Sequence, residues 1–126
     1  MQALVLIALG SILGANARYF ISTWAASRLG DGFPYGTLLI NLSGSFLLGV
    51  LLTAGSARLG IGDEARLLAG TGFFGAYTTY STFAYETVAL LRRGAVLPAL
   101  ANVGGNVVLG IGAAAAGILL VQRTAG

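Results

Sequence analysis

In a chain dominated by Leu, Ala and Gly, the side chains able to do chemistry are few, and they cluster. The stretch GFFGAYTTYSTFAYE, residues 72–86, gathers the hydroxyls of Thr78, Thr79, Ser81 and Thr82, the tyrosines Tyr77, Tyr80 and Tyr85, and the carboxylate of Glu86. Glu86 is the sole charged residue between Arg66 and Arg92. Amides stand at Asn41, within GTLLINLSGSFLLG, and at Asn102 and Asn106, one helical turn apart. Hydroxyl and amide N–H groups can meet an anion without a full opposing charge, and carbonyls freed at a helix break can meet a cation. With helix from Thr79 onward, Thr79, Thr82, Phe83 and Glu86 share one face at i, i+3, i+4 and i+7. Such a face suits a narrow polar track better than lipid. An inert kink is the competing reading, with the asparagines serving as glue between helices.

The surroundings decide what kind of protein positions these groups. Of 126 residues, 56% are hydrophobic and 9% are charged, against roughly a quarter charged in an ordinary soluble domain. A water-soluble core cannot use that much apolar surface; a membrane-embedded one can. Apolar runs bounded by charge fall at about 2–26, 36–57, 65–91 and 97–121, long enough for four spans. The expectation is one all-α domain covering 1–126, with the amino-terminal segment retained as a helix because no basic residue precedes Arg18. In the third span, Gly72, Gly75 and the Thr78–Thr79 pair predict a break near the bilayer midplane. Irregular backbone at that depth is tolerated only against protein, water or an ion.

Composition also excludes. The chain has no Cys and no His, which removes disulfides, zinc sites and Ser-His or Cys-His nucleophiles. It has four acidic residues, so a paired-carboxylate enzyme is not expected. The net charge of +3 forms no basic stripe, so nucleic acid is not a predicted partner. Small-xxx-small pairs at Gly10/Gly14, Ser45/Gly49, Ala101/Gly105 and Ala113/Gly117 allow close helix contact, within the chain or between copies.

Orientation is undecided by charge. With four spans, Arg58, Arg66 and Arg123 lie on one side and Arg28, Arg92 and Arg93 on the other, three against three. The positive-inside rule then gives no preferred direction. Insertion both ways is expected, with opposite copies paired about a two-fold axis in the membrane plane.

GTLLINLSGSFLLG followed by GFFGAYTTYSTF, together with the early GANARY, resembles the small bacterial fluoride channels, the Fluc or CrcB-type family, over essentially the whole chain. The resemblance implies an antiparallel dual-topology homodimer in the bacterial inner membrane, surrounded by lipid, with two passive fluoride pores. It implies pore-lining roles for Asn41, Tyr80, Phe83, Thr79, Ser81 and Thr82, to which Asn106 is added as a polar neighbour. Glu86 and Arg18 would lie toward the pore mouth. The carbonyls of Gly75 and Thr78 would hold a structural sodium ion. One departure stands out: the family's usual TTFSTF reads TTYSTF here, placing Tyr80 at the first aromatic. A small proton-coupled multidrug exporter is the rival transporter, but residues 1–27 contain no carboxylate to bind cationic drugs. A non-conducting assembly subunit is the other alternative.

Overall fold

A computed structural model describes residues 1–56 and 60–124, and all regular structure among them is helical. The expected end of the second span at Ala57, and Arg58 of the charge count, lie outside the described residues. Helix α1 is Gln2–Leu29, α2 is Tyr35–Ser56 and α5 runs Val96–Thr124; each is long and apolar enough to cross a membrane. The remaining apolar run is two helices in succession: α3 over 63–77 and α4 at Tyr80–Arg92. Between them Thr78 (φ −76°, ψ 156°) and Thr79 (φ −151°, ψ 113°) are extended.

Two stretches wind more widely than an α-helix, Arg66–Phe74 in α3 and Gly105–Leu109 in α5. In the first, the Gly75 N–H reaches back to the Gly70 carbonyl, an i→i−5 bond. Wide turns of this kind are uncommon and concentrate near functional sites. Hydrophobic spacing does not announce them.

Packing follows the small residues. Helix α1 lies against α3, and α2 lies against α5, which also carries α4. A methyl group at Gly10 would land on the Leu68 carbonyl oxygen, and one at Gly14 on that of Phe73. Gly49 faces the Ala114 backbone and Gly117 the Phe46 backbone in the same way. These small-residue positions therefore bring backbones together inside one chain. Where close approach is the source of van der Waals attraction, as in lipid, a glycine is the residue that permits it.

The ends of the helices are set by glycine and proline. Gly30 closes α1 with positive φ (79°) and its N–H on the Ala26 carbonyl at 3.0 Å. Pro34 stands one residue before α2, where its fixed φ and missing N–H do no harm.

Candidate functional site

The break between α3 and α4 is held by hydrogen bonds from three directions. Thr78 closes α3: its N–H donates to the Phe74 carbonyl at 3.1 Å and its hydroxyl donates to the same carbonyl at 2.9 Å. Thr79 caps α4, with its Oγ1 accepting from the Thr82 N–H at 3.3 Å. Its own hydroxyl donates to Thr82 Oγ1 at 2.9 Å. Threonine suits this position because its extended backbone places the side-chain oxygen over the first turn.

The third support comes from α2. The Thr79 N–H donates to Asn41 Oδ1 at 2.8 Å, and Asn41 Nδ2 donates to the Thr79 carbonyl at 3.1 Å. The side-chain amide thus pairs with the broken backbone as a neighbouring strand would. Only an oxygen can accept from the Thr79 N–H, so this contact fixes which way round the Asn41 amide sits. Its second N–H donates to Asn106 Oδ1 at 2.8 Å.

The chain of amides continues in one direction. Asn106 Nδ2 donates to Asn102 Oδ1 at 2.9 Å and to the Asn102 carbonyl at 3.0 Å. Asn102, completely buried, donates to Thr87 Oγ1 at 2.9 Å, and the Thr87 hydroxyl donates to the Phe83 carbonyl at 2.8 Å. Donors and acceptors in such a chain polarise one another. The polar groups of three helices become one unit.

Beside this unit lies a cavity of about 270 Å³, bordered by Asn41, Ser45, Thr79, Tyr80, Phe83 and Asn106. The Tyr80 and Phe83 rings meet edge to face, with centroids 5.6 Å apart and planes at 66°. Phe83 is buried, whereas Tyr80 is 79% exposed at the open side. The first N–H groups of α4 have no intrahelical partner and bring the positive end of that helix to the same place. The site can present ring edges and N–H dipoles to a small anion, with no full positive charge at hand.

The face expected from Thr79, Thr82, Phe83 and Glu86 is divided. Thr79 and Phe83 border the cavity at the break, and Thr82 is tied to Thr79. Ser81 is exposed and does not border that cavity. Glu86 instead lines a second cavity, about 210 Å³, with Ser22, Asp31, Thr37 and Arg93. There the Thr37 hydroxyl donates to Glu86 Oε1 at 2.9 Å. Oε2 is buried and has no hydrogen-bond partner among the described residues. Arg18 is half-buried and borders neither cavity.

Gly75 lies exposed on the outer side of α3, where an added methyl would meet only the Gly70 carbonyl oxygen, at 3.9 Å. Among the described residues no backbone hydrogen bond reaches the Gly75 carbonyl or that of Thr78 across the break, because the Thr79 N–H has turned to Asn41 and the Thr82 N–H to Thr79 Oγ1. Two acceptors are therefore freed near one another in sequence. Thr37, Thr87 and the linkage of Asn102 to Thr87 are the contributions that spacing alone did not single out.

The profile of the family described as CrcB-like protein, Camphor Resistance (CrcB), matches residues 5–118. The chain belongs to this family. It is 47% identical over 118 residues to a protein of Chloroflexus aurantiacus named Fluoride-specific ion channel FluC, with 94% of each chain covered. A protein of the same name from Vibrio campbellii is 45% identical over 124 residues, with 98% of each covered. One from Anaeromyxobacter sp. (strain K) is 44% identical over 126 residues, covering both completely. Family membership and the three long apolar helices together make this a multi-pass membrane protein.

Proposed function

We propose that this chain is a fluoride-selective channel that conducts fluoride passively across the bacterial inner membrane, out of the cell. The observation that carries the reading is the cavity at the α3–α4 break, where Asn41 holds the interrupted backbone beside the Tyr80 and Phe83 ring edges. The names of the relatives from Chloroflexus aurantiacus and Vibrio campbellii support fluoride as the ion. The family is one of channels, and the chemistry here is translocation with no bond made or broken.

Fluoride is small and strongly hydrated, so a selective path must replace its water with close donors. Neutral donors in series do this while leaving each site weak enough to release the ion. A fixed guanidinium at the break would hold the ion too firmly; the cavity there has none. The positive ends of α4 and of the aromatic rings provide a graded attraction instead.

Four membrane passes, the third made of α3 and α4 together, would set the cavity within the bilayer. Two copies in opposite orientation would pair with the outer side of α3 facing the two-fold axis, giving two pores. Tyr80, open to the outside of one chain, would then border the neighbour. The carbonyls of Gly75 and Thr78 are of the right kind to hold a sodium ion at that axis, with matching carbonyls from the second copy. When bound, the ion would join the two breaks and add positive potential.

Reconstitution into liposomes tests the proposal with a fluoride electrode. Fluoride should leave down its gradient while chloride stays; no efflux, or equal chloride flux, refutes it. Replacing Asn41 by Asp should abolish efflux. The carboxylate lacks the two N–H donors now given to Thr79 and Asn106, and it sets a negative charge against their oxygens.

A further inference from the structure

The hydrogen-bond donors around the cavity at the break can be followed one by one. Both N–H groups of Asn41 and both of Asn106 donate within the protein. So do the hydroxyls of Thr78 and Thr79 and their backbone N–H groups. Ser45 differs. The Ser45 hydroxyl, like those of Ser22 and Thr53, makes no hydrogen bond among the described residues, whereas those of Ser43, Thr78 and Thr87 donate to the carbonyl one turn back. A helical serine readily takes that bond, so a half-buried one that leaves it unmade has a free donor.

The position of that donor matters. Ser45 lies one turn beyond Asn41 on the same side of α2. It borders the cavity at the break and also a neighbouring cavity of about 270 Å³, whose wall includes Gly49, Thr53 and Ala114. It stands where the two spaces adjoin. Leu48, the other residue common to both, offers only methyl groups.

We infer that Ser45 is an ion-contacting residue, whose hydroxyl donates to fluoride as the ion passes between the cavity at the break and the space beside Gly49 and Thr53. The inference rests on the channel reading above and assigns a donor within it. Asn41 and Asn106 shape the wall, and Ser45 supplies a hydrogen bond that the wall itself does not consume. A hydroxyl on a helix is rigidly placed, carries no charge, and can turn its proton toward the ion from either side.

The absence of an internal partner makes the test clean. Ser45→Ala removes no hydrogen bond from the protein, so the variant should unfold at the same temperature as the parent in detergent. A hydrogen bond to a charged group is strong enough that its loss should lower fluoride flux roughly tenfold. Both proteins would be reconstituted at equal density, and fluoride efflux would be compared with the thermal midpoint. Reduced flux at an unchanged midpoint supports the assignment. Flux equal to the parent's overturns it, and so does a loss of flux accompanied by a clear fall in the midpoint, which would make the hydroxyl structural. If the parent itself carries no fluoride, the channel reading fails, a result separate from either.

Discussion

At the scale of single residues, the polar groups in the middle of this chain are connected and nearly all committed. The sequence of donations from Thr79 through Asn41, Asn106, Asn102 and Thr87 ends on the Phe83 carbonyl, close to the aromatic edge that borders the cavity. Thr87 is the anchor least obvious from sequence and the easiest to test. Thr87→Val keeps the shape but leaves the buried Asn102 N–H without its acceptor, which should cost about 1–3 kcal/mol. Thr87→Ser should restore most of this. Thermal unfolding in detergent reads the stability. Fluoride efflux reads whether a disordered Asn102 also releases Asn106 and Asn41. Tyr80→Phe should behave oppositely. Its ring edge is kept and its exposed hydroxyl makes no hydrogen bond among the described residues, so fold and flux should both persist within about threefold, by the usual modest effect of exposed substitutions. The amides and hydroxyls themselves were legible because polar side chains in an apolar run stand out. The Asn102–Asn106 contact was legible because the spacing of one turn is local. The pairing of Asn41 with Thr79 spans 38 positions, and no periodicity connects them.

At the scale of elements, the break is made by what surrounds it as much as by the residues within it. The wide winding of Arg66–Phe74 delivers Thr78 to α2, and Gly44 receives it. A methyl group at Gly44 would strike the Thr78 side chain, which cannot turn aside without giving up its bond to Phe74, and would lie 3.1 Å from the Tyr77 ring. Tyr77 is buried, stacked on Phe73 with centroids 5.5 Å apart, and in hydrogen-bond contact with Ser43 at 2.9 Å. Gly44→Ala should therefore destabilise the protein by about 1–3 kcal/mol through overpacking, and should lower fluoride efflux by moving the break. A variant with the parent's midpoint and the parent's flux would show that α3 can shift at no consequence. The apolar runs and the glycine and threonine signals of a break were readable in the sequence because each is a local property. The split of the Thr79-to-Glu86 face was not. Thr79 leaves the helix to cap it, and Glu86 turns to Thr37 on α2, a choice made by tertiary contact.

At the scale of the whole molecule, one chain exposes more than one surface that water would not tolerate. Leu13, Phe20, Leu97 and Ile111 are all largely exposed, and lipid covers such side chains at no cost. Tyr80 and Gly75 are exposed too, yet they flank the break where polar backbone is freed, and lipid cannot satisfy a carbonyl. A second copy can. On the four-span reading, six of the seven arginines leave the direction of insertion open, with Arg28, Arg92 and Arg93 set against Arg58, Arg66 and Arg123. Opposite copies would then be made in similar numbers and would place their breaks face to face. The chain lacks cysteine, so a single cysteine introduced at Thr124 reports orientation directly. In cells, a membrane-impermeant thiol reagent should label roughly half of the protein from outside if both orientations are inserted equally. Adding arginines at Gln2 and Gln122 should then shift the labelled share strongly to one side. Fluoride efflux should fall with it, and co-expression of a copy biased the other way should recover it. Labelling of one side alone in the parent, with efflux intact, would exclude the antiparallel pair and require the break to be completed within copies that all face the same way.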